Sequence, residues 1–277
     1  MSQESGVVAE QIIHENTLYA EPIAHIGSFP ITNALMTSGV ALLIIITLTI
    51  LISRNIKKVP TGLQNAMEMI IEGFLGIFDG VTGSRKKSLQ FAPLVLAFFF
   101  FVLINNWMGI LPGVGSIGQI VKIGGENFFI PYLRGGTADL NTTLALATIG
   151  VVISHILGVI AIGSWNYFNK FINIKVLLEI PKKVFKDPTV LIVNPIKAFV
   201  GIIEVIGEVA KVASLSFRLF GNVFAGEVLL ASMSAILAYG IPIPFLFLEI
   251  LVGLIQALIF AMLILTYLTI NTTAEEH

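Results

Sequence analysis

Residues 216–227 read SFRLFGNVFAGE, and they sit inside residues 195–239, about 45 residues whose only proline is the first. One unbroken helix of that length would be roughly 67 Å long at 1.5 Å per residue, about twice a ~30 Å hydrocarbon core. Such a helix cannot stand upright in a bilayer. It either lies strongly inclined, or it breaks near Gly221 or Gly226 into two upright spans joined by a kink. The apolar run after Pro242 is likewise too long for an upright span and would tilt beside it. The adopted reading is a pair of long, inclined, adjacent helices over 195–238 and 242–270.

Lys197, Glu204, Lys211 and Arg218 recur every seven residues in the first of these helices. Each step drifts by only about −20°, so a continuous helix sets all four on one face. Asn222 returns to that face, and Glu227, nine residues past Arg218, points about 180° away. A mid-bilayer arginine costs between about 3 and more than about 10 kcal/mol. It stays protonated, so Arg218 cannot relay a proton; it attracts an anion or repels a cation. No Asp or Glu lies three or four residues from it. Either Glu204, Glu208 or another span supplies its counter-ion, or the counter-ion belongs to another polypeptide. Small residues flank it at Ala210, Ser214, Gly221, Ala225 and Gly226, which admit a close neighbour without saying whose. On the last helix Glu249 and Gln256 are seven apart, hence on one face. Glu227 and Glu249 could meet across the turn YGIPIP and hold or release protons together, or each could simply bond a neighbouring helix.

The rest of the chain has the same character. Charged residues make up 12% of its 277 residues, against about 25% in soluble proteins, so most of its surface meets lipid. Further apolar spans read at 34–53, 91–111 and 140–163, the last with His155 as its one titratable group. Residues 63–81 carry apolar side chains at helical spacing interrupted by Glu68, Glu72 and Asp79, the pattern of an interfacial amphipathic helix or of a short soluble-type helix. Residues 1–33 contain no Lys or Arg, which argues against a signal peptide and for a polar extracytoplasmic leader. Six Lys or Arg fall in 54–90, five in 164–190 and two (Lys122, Arg134) in 112–139. By the positive-inside rule the first two segments are cytoplasmic, which sets the N-terminus outside and the C-terminus inside. The expectation is an all-α polytopic membrane protein, with residues 34–277 as a single membrane domain. With a net charge of −1 there is no case for nucleic acid. Cysteine is absent, the four histidines lack zinc spacing, and no phosphate-binding glycine loop occurs, so no metal, cofactor or nucleotide site is expected.

SFRLFGNVFAGE, followed by GLIQALIFAMLILTYLTI, closely resembles subunit a of the bacterial F-type ATP synthase. NNWMGILPG and GGTADLNTTLALA resemble the same family around its second and third spans. The resemblance implies a proton-conducting stator in the plasma membrane, beside a rotating ring of c subunits, with the b subunits of the peripheral stalk and the other synthase subunits as further partners. It implies two offset half-channels that bring protons to and from the ring carboxylates. Arg218 matches the essential arginine between them, and Asn222 and Gln256 match polar neighbours. Glu227 and Glu249 match the titratable positions of the outer half-channel. Glu204, Lys211 and Ser214 match positions near the inner one, and Asp139 and Asn141 match an ADLN motif at the outer end of a span. Relatives often pair a carboxylate with a histidine where this chain has two glutamates. His155 offers an imidazole from another span, as a relay or as an ordinary packing residue. The competing reading is a stand-alone ion-coupled transporter or channel.

Overall fold

The computed structural model describes residues 12–13, 17–54, 56–111, 113–172, 190–237, 240 and 242–273. Seven helices carry the architecture of these residues: α1 (Asn33–Ser53), α2 (Leu63–Thr82), α3 (Arg85–Ile110), α4 (Leu140–Ile162), α5 (Ser164–Ile172), α6 (Val190–Ile236) and α7 (Pro242–Thr272). Five of them have stretches long and apolar enough to cross a membrane: α1, α3, α4, the Phe199–Ile236 part of α6, and α7. The protein is an all-α, multi-pass membrane protein. Most of the Lys-rich segment 164–190, Tyr239 and Ile241 of the YGIPIP turn and the C-terminal EEH lie outside the described residues.

The long helix α6 is continuous through Gly221 and Gly226. Its 47 residues correspond to roughly 70 Å. It begins at Val190 rather than at Pro195, because a proline in the second turn removes one main-chain bond without forbidding the turn before it. In the same way α3 starts at Arg85, six residues ahead of the apolar stretch that marks the span. Helical hydrogen bonding does not require apolar side chains, so hydropathy locates the lipid-facing part and not the helix end. The α1 start is sharper: Thr32 Oγ1 accepts from Leu35 N at 3.3 Å, the usual N-cap device. Gly83, in the left-handed conformation, closes α2 by donating to Asp79 O at 3.0 Å.

Two regions read as leader and loop form small sheets. β2 (Pro22–Ile26) and β3 (Phe29–Thr32) make an antiparallel hairpin just before α1. β4 (Gly118–Ile123) and β5 (Glu126–Pro131) make a second, turning through Gly124 and Gly125 at φ +65° and +96°. Two successive positive φ values match the twist of a two-residue hairpin, and glycine supplies them without steric cost. β1 (Ile12–Ile13) adds in parallel to the edge of β5.

The chain packs as two compact units, each assembled from separated segments. One comprises residues 1–54, 100–142 and 219–257; the other comprises 55–99, 143–218 and 258–277. Within the first unit a set of polar bonds ties α3 to its neighbours. Asn106 Nδ2 donates to Gly253 O at 3.0 Å, and Thr137 Oγ1 donates to Asn106 Oδ1 at 2.6 Å. Ser38 donates to Asn105 Oδ1 at 3.1 Å, and Trp107 Nε1 donates to Ile250 O at 3.1 Å. Within the second unit the core is aromatic and aliphatic, centred on Phe78, Phe260, Ile264, Leu265 and Leu268. There Gly150 leaves room for the Ile264 side chain, which a methyl would overlap.

Candidate functional site

In the first unit the ionisable side chains gather around Glu227. On α6 this residue faces the unit's interior, as its half-turn offset from Arg218 requires. Its Oε2 accepts two bonds from Arg134, from Nε at 3.2 Å and Nη2 at 3.0 Å. Arg134 is held from the other side by the leader: Nη2 donates to Thr17 O at 2.8 Å, and Nη1 donates to Thr17 Oγ1 at 3.2 Å and Tyr19 O at 3.3 Å. Its main-chain N–H donates to Thr37 Oγ1 at 3.1 Å. A cavity of about 230 Å³ is lined by Glu21, Arg134 and Glu227 among others. A second, of about 20 Å³, is lined by Glu227 and Glu249 together with Asn106 and Val223. Glu227 and Glu249 therefore do come to one site. Glu249 lies against Gly226, where an added methyl would overlap its carboxyl group. Gln256 is buried, and its Oε1 accepts from Asn222 Nδ2 at 2.9 Å.

Asp139 has a plain local job. Immediately ahead of α4, its Oδ1 accepts from Asn141 N at 3.3 Å and its Oδ2 from Thr142 N at 3.2 Å and Thr142 Oγ1 at 3.0 Å. That is helix N-capping, with a negative charge at the positive end of the helix dipole. A further bond, from Ala20 N at 3.3 Å, ties the leader to the same carboxylate. Asn141 is exposed.

In the second unit Glu208 is the hub. Its Oε1 accepts from Lys211 Nζ at 2.7 Å, and its Oε2 lies 3.3 Å from His155 Nε2. The other ring nitrogen, Nδ1, is 2.6 Å from the Tyr167 hydroxyl on α5. Burial, with the Glu208 and Glu204 carboxylates adding to it, pushes the Tyr167 phenol up to about 12. The phenol thus keeps its proton. Glu208 as a carboxylate only accepts, whereas the Tyr167 hydroxyl and His155 Nδ1 can each take either role in their shared bond. Lys211 also stands over the Tyr267 ring, 5.2 Å from its centre. Glu204 is half-buried on α6, and the side chain of Lys197 lies outside the described residues.

Arg218 is handled differently from all of these. It is exposed, donates to Ser214 Oγ at 3.4 Å, and forms no ion pair among the described residues. Ala210, Ser214, Phe217, Gly221, Asn222, Ala225 and Val228 are exposed along the same helix. Neither Glu204 nor Glu208 serves as its counter-ion.

Reading the sequence alone missed Arg134, Glu208 and Tyr167 as parts of these constellations. For Glu208 a signal existed, since it precedes Lys211 by three residues, a helical ion-pair spacing. For Arg134 there was none, because its partner lies 93 positions away.

The fold and these buried ionisable groups define a polytopic membrane protein that holds charge inside an apolar helical frame. A family model described as ATP synthase A chain matches residues 34–269, and the chain belongs to that family. Among similar proteins, ATP synthase subunit a of Moorella thermoacetica is 27% identical over 246 residues, covering 89% of this chain and 93% of the relative. That of Syntrophobacter fumaroxidans is 31% identical over 242 residues, covering 87% and 84%. That of Campylobacter jejuni is 31% identical over 241 residues, covering 86% and 89%.

Proposed function

We propose that this chain is the proton-conducting stator of a rotary ATP synthase in the bacterial plasma membrane, with its N-terminus outside and its C-terminus in the cytoplasm. Its own act is ion translocation, and nucleotide chemistry belongs to other subunits. One half-channel runs through the Glu227 and Glu249 site, with Asn222 and Gln256 at its inner limit. The other runs past the Glu208, His155 and Lys211 site, with Glu204 and Ser214 along it. Arg218 is the fixed charge that keeps the two paths separate. Its mate is the carboxylate of a passing c subunit, and b subunits hold the stator still. The observation that carries this reading is Arg218 itself: a permanent cation, exposed on a membrane helix, with no acidic partner among the described residues of its own chain.

The physics follows from that charge. An anionic ring site is stabilised as it meets Arg218, so a protonated site approaching it gives up its proton to the exit path. A free proton is repelled by the same charge and cannot slip from one half-channel to the other. The ring site then takes a proton from the second path and enters lipid as a neutral acid. Each proton crossing ~150 mV releases roughly 3.5 kcal/mol, which rotation delivers to the catalytic head. In reconstituted vesicles Arg218→Ala should abolish ATP-driven proton pumping and proton-driven synthesis. Coupled synthesis comparable to that of the unaltered complex would overturn the reading.

A further inference from the structure

Glu227 and Glu249 border one small cavity, yet their surroundings differ in kind. The Arg134 guanidinium has five N–H groups, and all five are engaged: two on Glu227 Oε2, and three on Thr17 O, Thr17 Oγ1 and Tyr19 O. Its side chain is only 9% exposed. It cannot swing away, and protonating Glu227 would leave a buried guanidinium without its anion. Glu249 is 8% exposed and has no ion pair or hydrogen bond among the described residues. Its carboxyl packs against Gly226. Glu21 is the remaining charged group on the larger cavity, and its Oε2 accepts from Asn33 Nδ2 at 3.3 Å. Of the two carboxyls on the small cavity, Arg134 engages Glu227.

We propose that Arg134 is a positioning residue and the resident counter-ion of Glu227, so that the two carboxyls divide the labour: Glu227 is a fixed anion, and Glu249 is the group that takes up and releases the transported proton. This rests on the reading of the chain as a proton-conducting stator. A buried carboxyl with no cation beside it holds its proton more readily than one in an ion pair, because the neutral acid needs no compensating charge. The adjoining anion at Glu227 reinforces this. The 20 Å³ between them has room for about one water, enough to pass a proton to Glu249 without a change of partner at Arg134. The leader enters the machinery through the same guanidinium, since Thr17 and Tyr19 hold it in register.

The test uses the assembled synthase in membrane vesicles, a hydrophobic carbodiimide, and mass spectrometry of this chain. The reagent needs the protonated acid: the carboxyl proton passes to a carbodiimide nitrogen while the carboxyl oxygen bonds to the central carbon. At neutral pH the adduct on Glu249 should exceed that on Glu227 by at least about tenfold. Arg134→Gln should render Glu227 reactive, and Arg134→Lys, which keeps the charge, should protect it. If Arg134→Gln does not assemble, the double variant Arg134→Gln with Glu227→Gln removes both charges together and should assemble with its Glu249 adduct intact. Equal modification of the two glutamates in the unaltered chain would overturn the proposal. So would an unreactive Glu249, or loss of its adduct in the double variant. The labelling reads this chain's own carboxyls and needs no ring rotation. It therefore stands or falls separately from the Arg218→Ala experiment.

Discussion

Arg134 and Arg218 carry the same charge and meet opposite surroundings. The first is enclosed, with every N–H used and a carboxylate 3.0 Å away; the second is exposed, with one long bond to Ser214. Burying a charge is tolerable when it is paired, and presenting one at membrane depth calls for a partner from outside. The special character of Arg218 was legible from its lack of an acidic residue one helical turn away. That of Arg134 was not, because long-range pairing leaves no trace in spacing. Asp139 shows the converse, a motif residue whose geometry is that of a helix cap. Asp139→Ala should cost about 1 kcal/mol of stability, while Asp139→Asn, also a good cap, should cost far less. Thermal unfolding of the purified complex and passive proton conduction check this; equal loss of conduction in both variants would speak for a direct role in the pathway. Tyr167 supplies a pH test. Its folded value of about 12 lies above the ordinary 10.0, so its stabilising contribution is undiminished below pH 10 and is lost as pH rises from there through about 12. The phenolate absorbance difference between the parent chain and Tyr167→Phe should show a component titrating near 12, and one near 10 would contradict the enclosed geometry.

At the scale of elements, hydropathy located the five long apolar helices of the described residues, and α1, α2, α4 and α7 begin within a residue of the apolar pattern. It misjudged the starts of α3 and α6, where charged residues and a proline are helical all the same. The β4–β5 hairpin was readable in principle, since Gly124–Gly125 between Ile123 and Glu126 is a two-residue turn signal. Strand β1 was not, because it pairs with β5 more than a hundred residues on. Helix packing makes its own prediction at Gly226, the point on α6 where the Glu249 carboxyl comes closest. A methyl there must push that carboxyl aside, and a 1 Å misplacement at a working site can cost about a hundredfold. Gly226→Ala should therefore cut passive proton conduction at least about tenfold while the chain still inserts and assembles. Near-normal conduction would mean that the position of Glu249 is not critical.

For the whole molecule, the family places the chain among the ATP synthase A chains, and the proposed stator role asks for a face that meets a moving neighbour. The exposed residues running from Ala210 through Arg218 to Val228 on α6 supply that face. Small side chains along it would let a ring helix approach closely enough for its carboxylate to reach the guanidinium. The length of α6, roughly 70 Å against a ~30 Å core, is what the proposed inclination rests on, and the continuity of the helix was legible in the sequence once residues 195–239 were seen to lack an internal proline. Because the chain has no cysteine of its own, single cysteines can be introduced without background. The most direct measurement is oxidative cross-linking of Ala210→Cys and Ala225→Cys, one on each side of Arg218, to a cysteine beside the ring carboxylate, with Ile160→Cys on the exposed side of α4 as the control. Ring adducts at the two α6 positions, with none at Ile160, are the result expected. Absence of ring adducts at both, in an assembled complex, would contradict the claim that Arg218 faces the rotor.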